Sequence, residues 1–311
     1  MPFALVKAND NLDRVQHHPY IHNGEKLWPF DIYLGRRLTT FEEMGPSNAD
    51  ILRQVTRTRA RQTVLRDAHE IFKAAIMVQD CSWEEKFLRN IEFNTLGLSE
   101  AHVLKNTEHM CMRAFATETE STNRVRKLRS QPDLIYGWIP QRHAIDDDKV
   151  SAWLKPEAEA VDGTNMLYPF LLVNFAPDSE RYRNRGDIVS GSAFDCLQGA
   201  SIGVRMVDRL RHRFEACGKV DAGLNSSVFS LVLNRYTAYI YFSYAWDETS
   251  EHVHRVLHYN MQNELHQRQF EKIIGNILSW GTTTRLGSIE RAIDIIRSNN
   301  PSWYPRYQQA N

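Results

Sequence analysis

The chain has 311 residues, of which 42% are hydrophobic and 24% charged, as expected of a globular protein with a sizeable core. Its 38 Lys and Arg residues balance its 38 Asp and Glu residues, so net charge favours neither a nucleic acid nor a membrane as partner. Any polyanion would have to bind a local basic patch. Four widely spaced cysteines without a CxxC pair exclude a disulfide framework and a zinc site of that kind, and they predict reduced, mostly buried thiols.

The N-terminal sequence MPFALVKANDNLD lacks the apolar run of a signal peptide, and no segment of 18 apolar residues occurs. We therefore expect an intracellular protein, cytoplasmic or nuclear, that is neither secreted nor bound to a membrane. Residues 1–47 are irregular and carry several aromatic residues, which predicts an arm packed on the domain. Residues 48–297 are expected to form one domain, followed by a C-terminal tail over 298–311.

Two helices are predicted in the first third of the chain. Apolar residues at helical spacing predict the first over about 48–77. Its arginines are better explained by a solvated face than by phosphate contacts; they are Arg53, Arg57, Arg59, Arg61 and Arg66. The second helix is predicted at CSWEEKFLRNIEF, where Ser82 is a candidate N-cap and Glu84 and Glu85 lie in the first turn, where the helix dipole favours carboxylates.

Strands are predicted next. QPDLIYGWIP indicates a short strand with Pro132 at its start, and the continuous apolar run MLYPFLLVNFAP indicates a strand buried on both faces. Residues 141–165 between them read as a loop. Its three aspartates, Asp146, Asp147 and Asp148, lack the alternate ligands and the glycine of a calcium loop.

The second half begins with its clearest helix, SAFDCLQGASIGVRMVDRLRHRF. Three β-rich segments follow, SVFSLVLN, TAYIYFSYAW and HVHRVLHYNM, and then two helices that are expected to break around Gly281. The order of helices, strands, helix, strands and helices predicts one α/β or α+β domain.

Two short patterns have a functional and a structural interpretation each, and the residues favour the structural one. GASIG, with Ser201 at its centre, matches G-x-S-x-G, but that motif works on a strand-to-helix turn, whereas here it lies inside a predicted helix. Small residues at that spacing are more typical of close helix–sheet packing. His252, His254 and His258 have spacings that a metal could use, although an exposed strand carrying histidines is the commoner explanation.

A third pattern is the one on which a function could rest. Asp133 follows Pro132 at the start of one strand, and a second strand ends at Asn174, Phe175 and Ala176. Metal-dependent phosphodiester hydrolysis needs carboxylates from separate elements to hold Mg²⁺, and a lysine two residues from one of them on the same strand face. The structural alternative is that Asn174 simply ends a strand and Asp133 bonds backbone amides in a turn.

Taken in order, six segments resemble the fungal PD-(D/E)XK nuclease-like domain family of the restriction-endonuclease-like superfamily. They are SWEEKFL, QPDLIYG, YPFLLVNFAPD, CLQGASIGVRMVDRL, SSVFSLVLNRYTAYIYFSYAW and FEKIIGNILSWG with RLGSIERAID. The resemblance covers about residues 48–297 and rests on order and spacing, since no single segment is diagnostic. It implies a mixed central sheet flanked by helices, with helical additions at both ends.

The resemblance also implies a site. It assigns roles to these positions: Asp133 as first metal carboxylate, Glu84 or Glu85 as helical acid, Asn174 in the second carboxylate position, Ala176 in the lysine position, and Gln198 as the helical glutamine. Asn174 lacks the negative charge of the family's carboxylate, and Ala176 lacks the positive charge of its lysine. Losing one such electrostatic contributor typically costs on the order of 10²–10³ in rate. Asp178 is a candidate substitute carboxylate and metal ligand, and Arg181 or Arg183 a substitute cation.

Three functions remain open from the sequence. The first is a catalytically degenerate nuclease-like domain that binds DNA or RNA or acts as a scaffold, with Arg205, Arg209 and Arg213 as candidate phosphate contacts, beside Arg211 on the same helix. The second is an active Mg²⁺- or Mn²⁺-dependent nuclease with migrated catalytic residues. The third is a domain that binds protein partners, for which the 7 Trp and 12 Tyr residues are suited.

Overall fold

A seven-stranded mixed sheet with helices on both faces forms the centre of the fold, which confirms the α/β class. The structure is a computed structural model that describes residues 31–34, 46–56, 103–105, 112, 130–138, 158–161, 166–176, 189–218, 223–234, 236–245 and 250–299. Its elements are β1 Asp31–Leu34, α1 Pro46–Thr56, β2 Val103–Lys105, β3 Leu134–Trp138, β4 Leu167–Phe175, α2 Val189–Ala216, β5 Val228–Leu233, β6 Thr237–Ala245, β7 Ser250–Asn260, α3 Glu264–Ser279 and α4 Leu286–Asn299.

The strands lie in the order β1-β7-β6-β5-β4-β3-β2. β4 runs parallel to β5 and β1 parallel to β7, whereas the other neighbouring pairs are antiparallel. β4 therefore lies inside the sheet between β3 and β5. Its apolar run is explained by this position, since helices cover the sheet on both sides and residues from Leu167 to Asn174 are all buried.

Two hydrophobic clusters fill the two helix–sheet interfaces. On the first side of the sheet, which we call the α2 face, helices α2 and α4 pack on residues such as Leu172 and Val232. On the second side, the α3 face, helices α1 and α3 pack on residues such as Phe229 and Phe242. The predicted strands and the long helix after β4 are thus confirmed, and they build a three-layer arrangement.

Helix α2 crosses the α2 face antiparallel to β4. Its early residue Asp195 reaches Asn174 near the end of β4, and Gly203 lies against Pro169 near its start. A side chain at Gly199 would place its Cβ 2.5 Å from the Ser130 hydroxyl, which leaves no space for one. The GASIG segment therefore serves close helix–sheet packing, and Ser201 is buried in mid-helix rather than presented on a turn.

The C-terminal helices are joined without the expected break at Gly281. A π-helix over Trp280–Arg285 connects α3 to α4, and the chain stays helical through both junctions. Trp280 belongs to the α3-face cluster and Leu286 to the α2-face cluster, so the π-helix carries the chain from one side of the sheet to the other. Gly281 permits contact with Phe170, because a Cβ there would lie 2.2 Å from the ring.

The histidine segment forms strand β7, as expected. His252 pairs in register with Tyr244 and His254 with Phe242, but His258 pairs with Tyr239 after a β-bulge. The bulge inserts one residue, so the alternation that would align the three histidines is interrupted. Within the part of the chain that the structure describes, no three His, Cys, Asp or Glu residues form a metal-binding group.

The two cysteines among the described residues are free thiols. Cys196 is buried and Cys217 is half-buried. Of the helices the structure describes, none has both the length and the apolar character needed to cross a bilayer. The helix with Glu84 and Glu85, most of the N-terminal arm, most of the 141–165 loop and the tail after Asn299 lie outside the described residues.

Candidate functional site

Asp133 lies one residue before β3 and bonds the neighbouring strand. Its Oδ2 atom accepts a hydrogen bond of 2.7 Å from the backbone N–H of Phe175, the last residue of β4. The regular β3–β4 pairing ends at Leu134 and Val173, so the carboxylate adds one bond beyond the ladder. Asp133 thus bonds a backbone amide, and in doing so it stands at the strand tip to which the sequence pattern had linked it.

Asn174 connects the same strand tip to helix α2. Its Nδ2 atom donates a hydrogen bond of 3.1 Å to Oδ2 of Asp195. The Asn174 residue is only 6% exposed, and its Oδ1 atom is buried with no hydrogen-bond partner among the described residues. Because a buried acceptor without a donor costs free energy, this oxygen is an open position for a water molecule or a cation.

Asp195 is the residue of this site that the sequence analysis missed. The backbone N–H of Gln131 donates to both of its carboxylate oxygens at 3.1 Å, and the Ser130 hydroxyl donates to its backbone carbonyl at 2.8 Å. Burial raises the pKa of Asp195, while the hydrogen bonds from Asn174 and Gln131 act in the opposite direction. The Asp195 carboxylate therefore ties the segment before β3, the tip of β4 and helix α2 together.

A sequence signal for Asp195 did exist. It lies three residues before Gln198 on the most clearly predicted helix, and residues three apart share a helix face. Once Gln198 is assigned to the site by resemblance, Asp195 is the acid that the same helix face can supply. Gln198 itself lies one turn further along α2 and is 8% exposed.

Ala176, in the position where the resemblance expects a lysine, is part of the core. It is 6% exposed and belongs to the cluster on the α2 face. Its backbone N–H donates to the carbonyl oxygen of Leu233 at 2.8 Å, which extends the β4–β5 pairing. A methyl group packed in this way contributes neither charge nor a proton donor to the strand tip.

The remaining five predicted members of the site lie outside the described residues. They are Glu84, Glu85, Asp178, Arg181 and Arg183. The described site therefore consists of two carboxylates and one amide, held on three separate elements.

These three side chains fit a divalent cation in their chemistry. Mg²⁺ and Mn²⁺ prefer oxygen ligands, and carboxylates of Asp133 and Asp195 with the amide oxygen of Asn174 would supply them. Each carboxylate oxygen has two lone pairs. Oδ1 of Asp195 accepts one hydrogen bond, from Gln131, and so keeps acceptor capacity, whereas its Oδ2 already accepts from both Gln131 and Asn174. The open Oδ1 of Asn174 is the observation that favours such a ligand set.

The candidate phosphate-binding arginines lie further along α2, from its middle to its C-terminal end. Arg205, Arg209 and Arg213 follow one another at four-residue intervals, so they form a stripe along one helix face, and each is half-buried. With a rise of 1.5 Å per residue, the stripe begins about 15 Å and ends about 27 Å along the helix axis from Asp195. Arg211, between them in sequence, is instead ion-paired with Asp208 and Glu215.

The stripe is electrostatically crowded. Burial lowers the pKa of Arg209 below its ordinary value, and the nearby charge of Arg205 lowers it further. Burial also lowers the pKa of Arg213. Both effects disfavour the charged guanidinium, so a polyanion placed along this helix face would offset them.

Comparison with known proteins places the chain in a family. A family model described as Domain of unknown function (DUF7924) matches residues 92–293, which is more than half of the chain. The chain belongs to the DUF7924 family. No curated protein and no solved structure matches it.

The DUF7924 region contains the whole of the described site. Asp133, Asn174 and Asp195 all lie inside it, as do strands β2 to β7 and helices α2 and α3. Helix α1 lies before the DUF7924 match but packs on it, since Asn225 donates to the Asn48 side chain at 2.9 Å and Asn276 donates to the carbonyl of Val55 at 2.6 Å. The folded unit therefore begins before the matched region.

Proposed function

We propose that this DUF7924 domain is a catalytically silent nuclease-like domain that binds nucleic acid. The observation that carries the proposal is how the polar groups at the tip of β4 are used. Asp133 and Asp195 both accept hydrogen bonds from backbone N–H groups, and the lysine position is a buried Ala176. The polar groups of a hydrolytic site are thus used to hold β3, β4 and α2 together, which supports a structural role in place of water activation.

The binding half of the proposal is supported by α2. Its three arginines follow one helix face at four-residue intervals, a linear arrangement that suits a phosphate backbone. This binding surface does not include the strand tip, because the stripe extends away from Asp195 along the helix. Loss of catalysis and retention of binding are therefore compatible in one molecule.

A charge-neutralising triple substitution tests the binding surface. Arg205→Gln, Arg209→Gln and Arg213→Gln together should reduce the slope of log affinity against log salt by up to about 2.7 for duplex DNA, or about 2 for single strands, if each arginine contacts one phosphate. The measurement is a fluorescence anisotropy titration of labelled oligonucleotides between low and physiological salt, with unfolding curves to show that the variant folds.

The matched control removes the same charge elsewhere. Arg268, Arg291 and Arg297 are exposed on α3 and α4, and replacing all three with Gln should leave the slope largely unchanged. Equal weakening by both triple variants would mean that binding depends on net charge alone, which contradicts the α2 surface. No binding by the wild-type protein at low salt would reject nucleic acid as the partner and leave the scaffold function.

A second candidate function, favoured by the open Oδ1 of Asn174, is divalent-metal binding with residual nuclease activity. Asp195 would then replace the missing strand carboxylate, and Asp133 and Asn174 would complete the ligand set. A bound Mg²⁺ would supply charge to a phosphate and lower the pKa of a bound water. The side chains of this chain would contribute three oxygen donors but no described cation at the strand tip.

Metal-dependent stability separates the two candidates. If a cation binds here, Mn²⁺ at a hundredfold its dissociation constant should stabilise the protein by about 2.7 kcal/mol, and Asp195→Asn should remove that gain. Thermal unfolding with Mn²⁺ and with EDTA measures this gain, and Asp50→Asn, which changes an exposed carboxylate of α1, is the control. A gain in stability that survives in Asp195→Asn would contradict this metal site.

A cleavage assay tests the absence of catalysis directly. Divalent-dependent DNA cleavage that disappears in Asp133→Ala would overturn the proposal that the domain is catalytically silent.

A further inference from the structure

The end of β4 opposite the candidate site lies against a buried positive charge. Arg285 is 3% exposed, and its guanidinium donates hydrogen bonds to the backbone carbonyl oxygens of Tyr168 and Pro169. None of the ion pairs among the described residues includes Arg285, so no described carboxylate offsets its charge. Buried charges are usually paired, because an uncompensated ion in a protein interior is strongly destabilising.

The charge is retained at neutral pH. Burial lowers the pKa of Arg285 to about 9, which is still well above 7. Glu159 pairs with Leu167 in an isolated bridge beside the start of β4, but it is not among the described partners of Arg285. The two backbone carbonyls bring only partial negative charge to the guanidinium, so a full counter-charge is missing from the described residues.

Two N–H groups at this end of the sheet also lack an acceptor. The Nε atom of Arg285 and the indole Nε1 atom of Trp138 are both buried without a hydrogen-bond partner among the described residues. Each of these groups can only donate. A buried donor without an acceptor costs free energy, so both indicate an acceptor that the described part of the chain does not supply.

Tyr168 contacts both of these residues. Its ring stacks on Trp138 with centroids 6.5 Å apart and planes 17° from parallel, and its carbonyl oxygen accepts from Arg285 at 2.8 Å. Tyr168 has a positive φ of 47°, which is rare for a residue with a side chain. Strained backbone of this kind persists only where the surroundings hold it, and it occurs preferentially at functional sites.

The strain has a visible consequence for the position of the Tyr168 ring. Successive residues of a regular strand face opposite sides of the sheet. Leu167 and Tyr168 are consecutive, yet both belong to the cluster on the α2 face, as Trp138 does. The irregular start of β4 therefore keeps the Tyr168 ring on the side of Trp138 while its carbonyl oxygen accepts from Arg285.

We propose that Arg285 and Trp138 bind a small anion, of the size of chloride, at the start of β4. The anion accepts from the two unpartnered N–H groups and compensates the buried charge of Arg285. The site lies at the other end of β4 from Asn174, so the inference goes beyond the proposed function and does not depend on it.

The donor set favours a single-atom anion over an oxyanion. Arg285, Trp138 and Tyr168 are each 3% exposed, so a ligand between them is enclosed by protein. A phosphate or carboxylate would bury several oxygen atoms, each of which needs a donor, whereas the unpartnered N–H groups here number two. A halide ion has no further acceptor atoms to satisfy and occupies less space.

Anion-dependent stability of the full chain tests the proposal. Urea unfolding at pH 7 is compared in sodium chloride, sodium bromide and sodium gluconate at equal ionic strength, since gluconate is too large to enter. Chloride at a hundredfold its dissociation constant should lower the unfolding equilibrium constant about a hundredfold relative to gluconate. Bromide should act in the same way. Equal stability in chloride and gluconate would overturn the proposal.

Two substitutions locate the effect. Trp138→Phe keeps a ring that can stack on Tyr168 but removes the Nε1–H donor, so the chloride dependence should shift to concentrations about tenfold to a hundredfold higher, as expected for loss of one hydrogen bond to a charged group. Arg285→Met removes the charge and should abolish the difference between chloride and gluconate. If Arg285→Met does not fold, Trp138→Phe decides.

The matched control is Arg291→Gln, which removes an exposed arginine of α4 and should keep the chloride dependence of the wild type. A chloride effect that Trp138→Phe leaves unchanged would mean that chloride acts elsewhere, and this would overturn the proposal.

Bromide also locates the anion directly. Anomalous scattering from crystals grown in sodium bromide should show a peak beside Nε of Arg285 and Nε1 of Trp138. Bromide found only at exposed arginines would contradict the site. These outcomes are independent of oligonucleotide binding and of Mn²⁺, so they neither support nor weaken the proposed function.

Discussion

Gly281→Ala is expected to destabilise the protein by roughly 2–3 kcal/mol, the upper part of the range for overpacking a core. The new Cβ would lie 2.2 Å from one carbon of the Phe170 ring and 2.3 Å from the next. That ring cannot move freely, because it is 2% exposed and packs edge-on to Trp280 with centroids 6.4 Å apart. The measurement is denaturant unfolding, with an unchanged slope indicating that the native fold is kept.

Gly287→Ala is the matched control in the same stretch of helix. Nothing lies within 4 Å of a Cβ at Gly287, so the substitution should be neutral or stabilise by about 0.5–1 kcal/mol through helix propensity. Adding Phe170→Leu to Gly281→Ala should cost less than the sum of the two single changes, because the smaller side chain removes the overlap. Additive effects would show that the close approach to Phe170 is not the cause.

The expected effect is large because the π-helix holds the end of β4 opposite to the candidate site. Arg285 donates hydrogen bonds to the carbonyl oxygens of Tyr168 and Pro169, at 2.8 and 3.1 Å, and its guanidinium carbon lies 5.9 Å from the Trp280 ring centroid. Burial lowers the pKa of Arg285 to about 9. A shift of this segment would therefore move the strand that carries Asn174 at its far end.

The fold was largely accessible from the sequence, for identifiable reasons. The apolar run of β4 and the helical pattern of α2 are local signals with strong periodicity, and both elements were predicted correctly. The π-helix was not predicted, because glycine commonly ends a helix and Gly281 was expected to do so. The contact that keeps Gly281 inside a helix is with Phe170, more than 100 positions away in the sequence. The bulge in β7 likewise has no local composition signal, although it decides which histidine faces Tyr239.

The candidate site was accessible only in part. Asp133 and Asn174 could be linked because a two-strand pattern and a family resemblance placed them at neighbouring tips. Asp195 depended on a tertiary contact, since its role comes from Gln131 and Asn174, which lie in segments before the helix. Its position three residues before Gln198 indicated the same helix face, but only the structure shows which groups its carboxylate bonds.

The combination of sites gives the proposed function its internal logic. The strand tip is rigid, since the Asp195 carboxylate joins three segments there, and rigidity at this point fixes α2 relative to the sheet. The arginine stripe lies on α2, which packs on β4, β5 and β6. Under the proposed function, a strand tip that holds α2 in place would also hold the arginine stripe in place.

Glu271 provides the second large effect, a fall in stability as pH rises from about 5 to 8. This residue of α3 is 4% exposed, and its Oε1 atom has no hydrogen-bond partner among the described residues. Burial raises its pKa from 4.5 to about 7, and the charge of Arg268 one turn away offsets this only in part. The carboxyl group is therefore protonated in the folded protein at a pH where it is already ionised in the unfolded chain.

The sign follows from proton binding. Between pH 4.5 and about 7 the folded state holds one proton more than the unfolded state at Glu271, so the free energy of unfolding decreases as pH rises. The decrease is complete once pH exceeds the folded pKa and amounts to roughly 3 kcal/mol at most. Glu271→Gln removes the titrating group, so the difference in stability between variant and wild type should move in favour of the variant by about 2–3 kcal/mol from pH 5 to pH 8.

That change with pH is the quantity to measure, because it does not depend on how well the glutamine amide fits. Urea unfolding curves of wild type and Glu271→Gln at pH 5, 6, 7 and 8 supply it. Glu290→Gln on α4 removes a carboxylate that is half-buried elsewhere and is the control for the loss of one negative charge. If the free energy of unfolding changes with pH in the same way for wild type and Glu271→Gln, Glu271 is ionised in the folded protein and a hydrogen-bond donor stabilises its charge. A wild-type curve that falls with pH while the variant stays flatter would establish that burial of this carboxyl group limits stability at neutral pH.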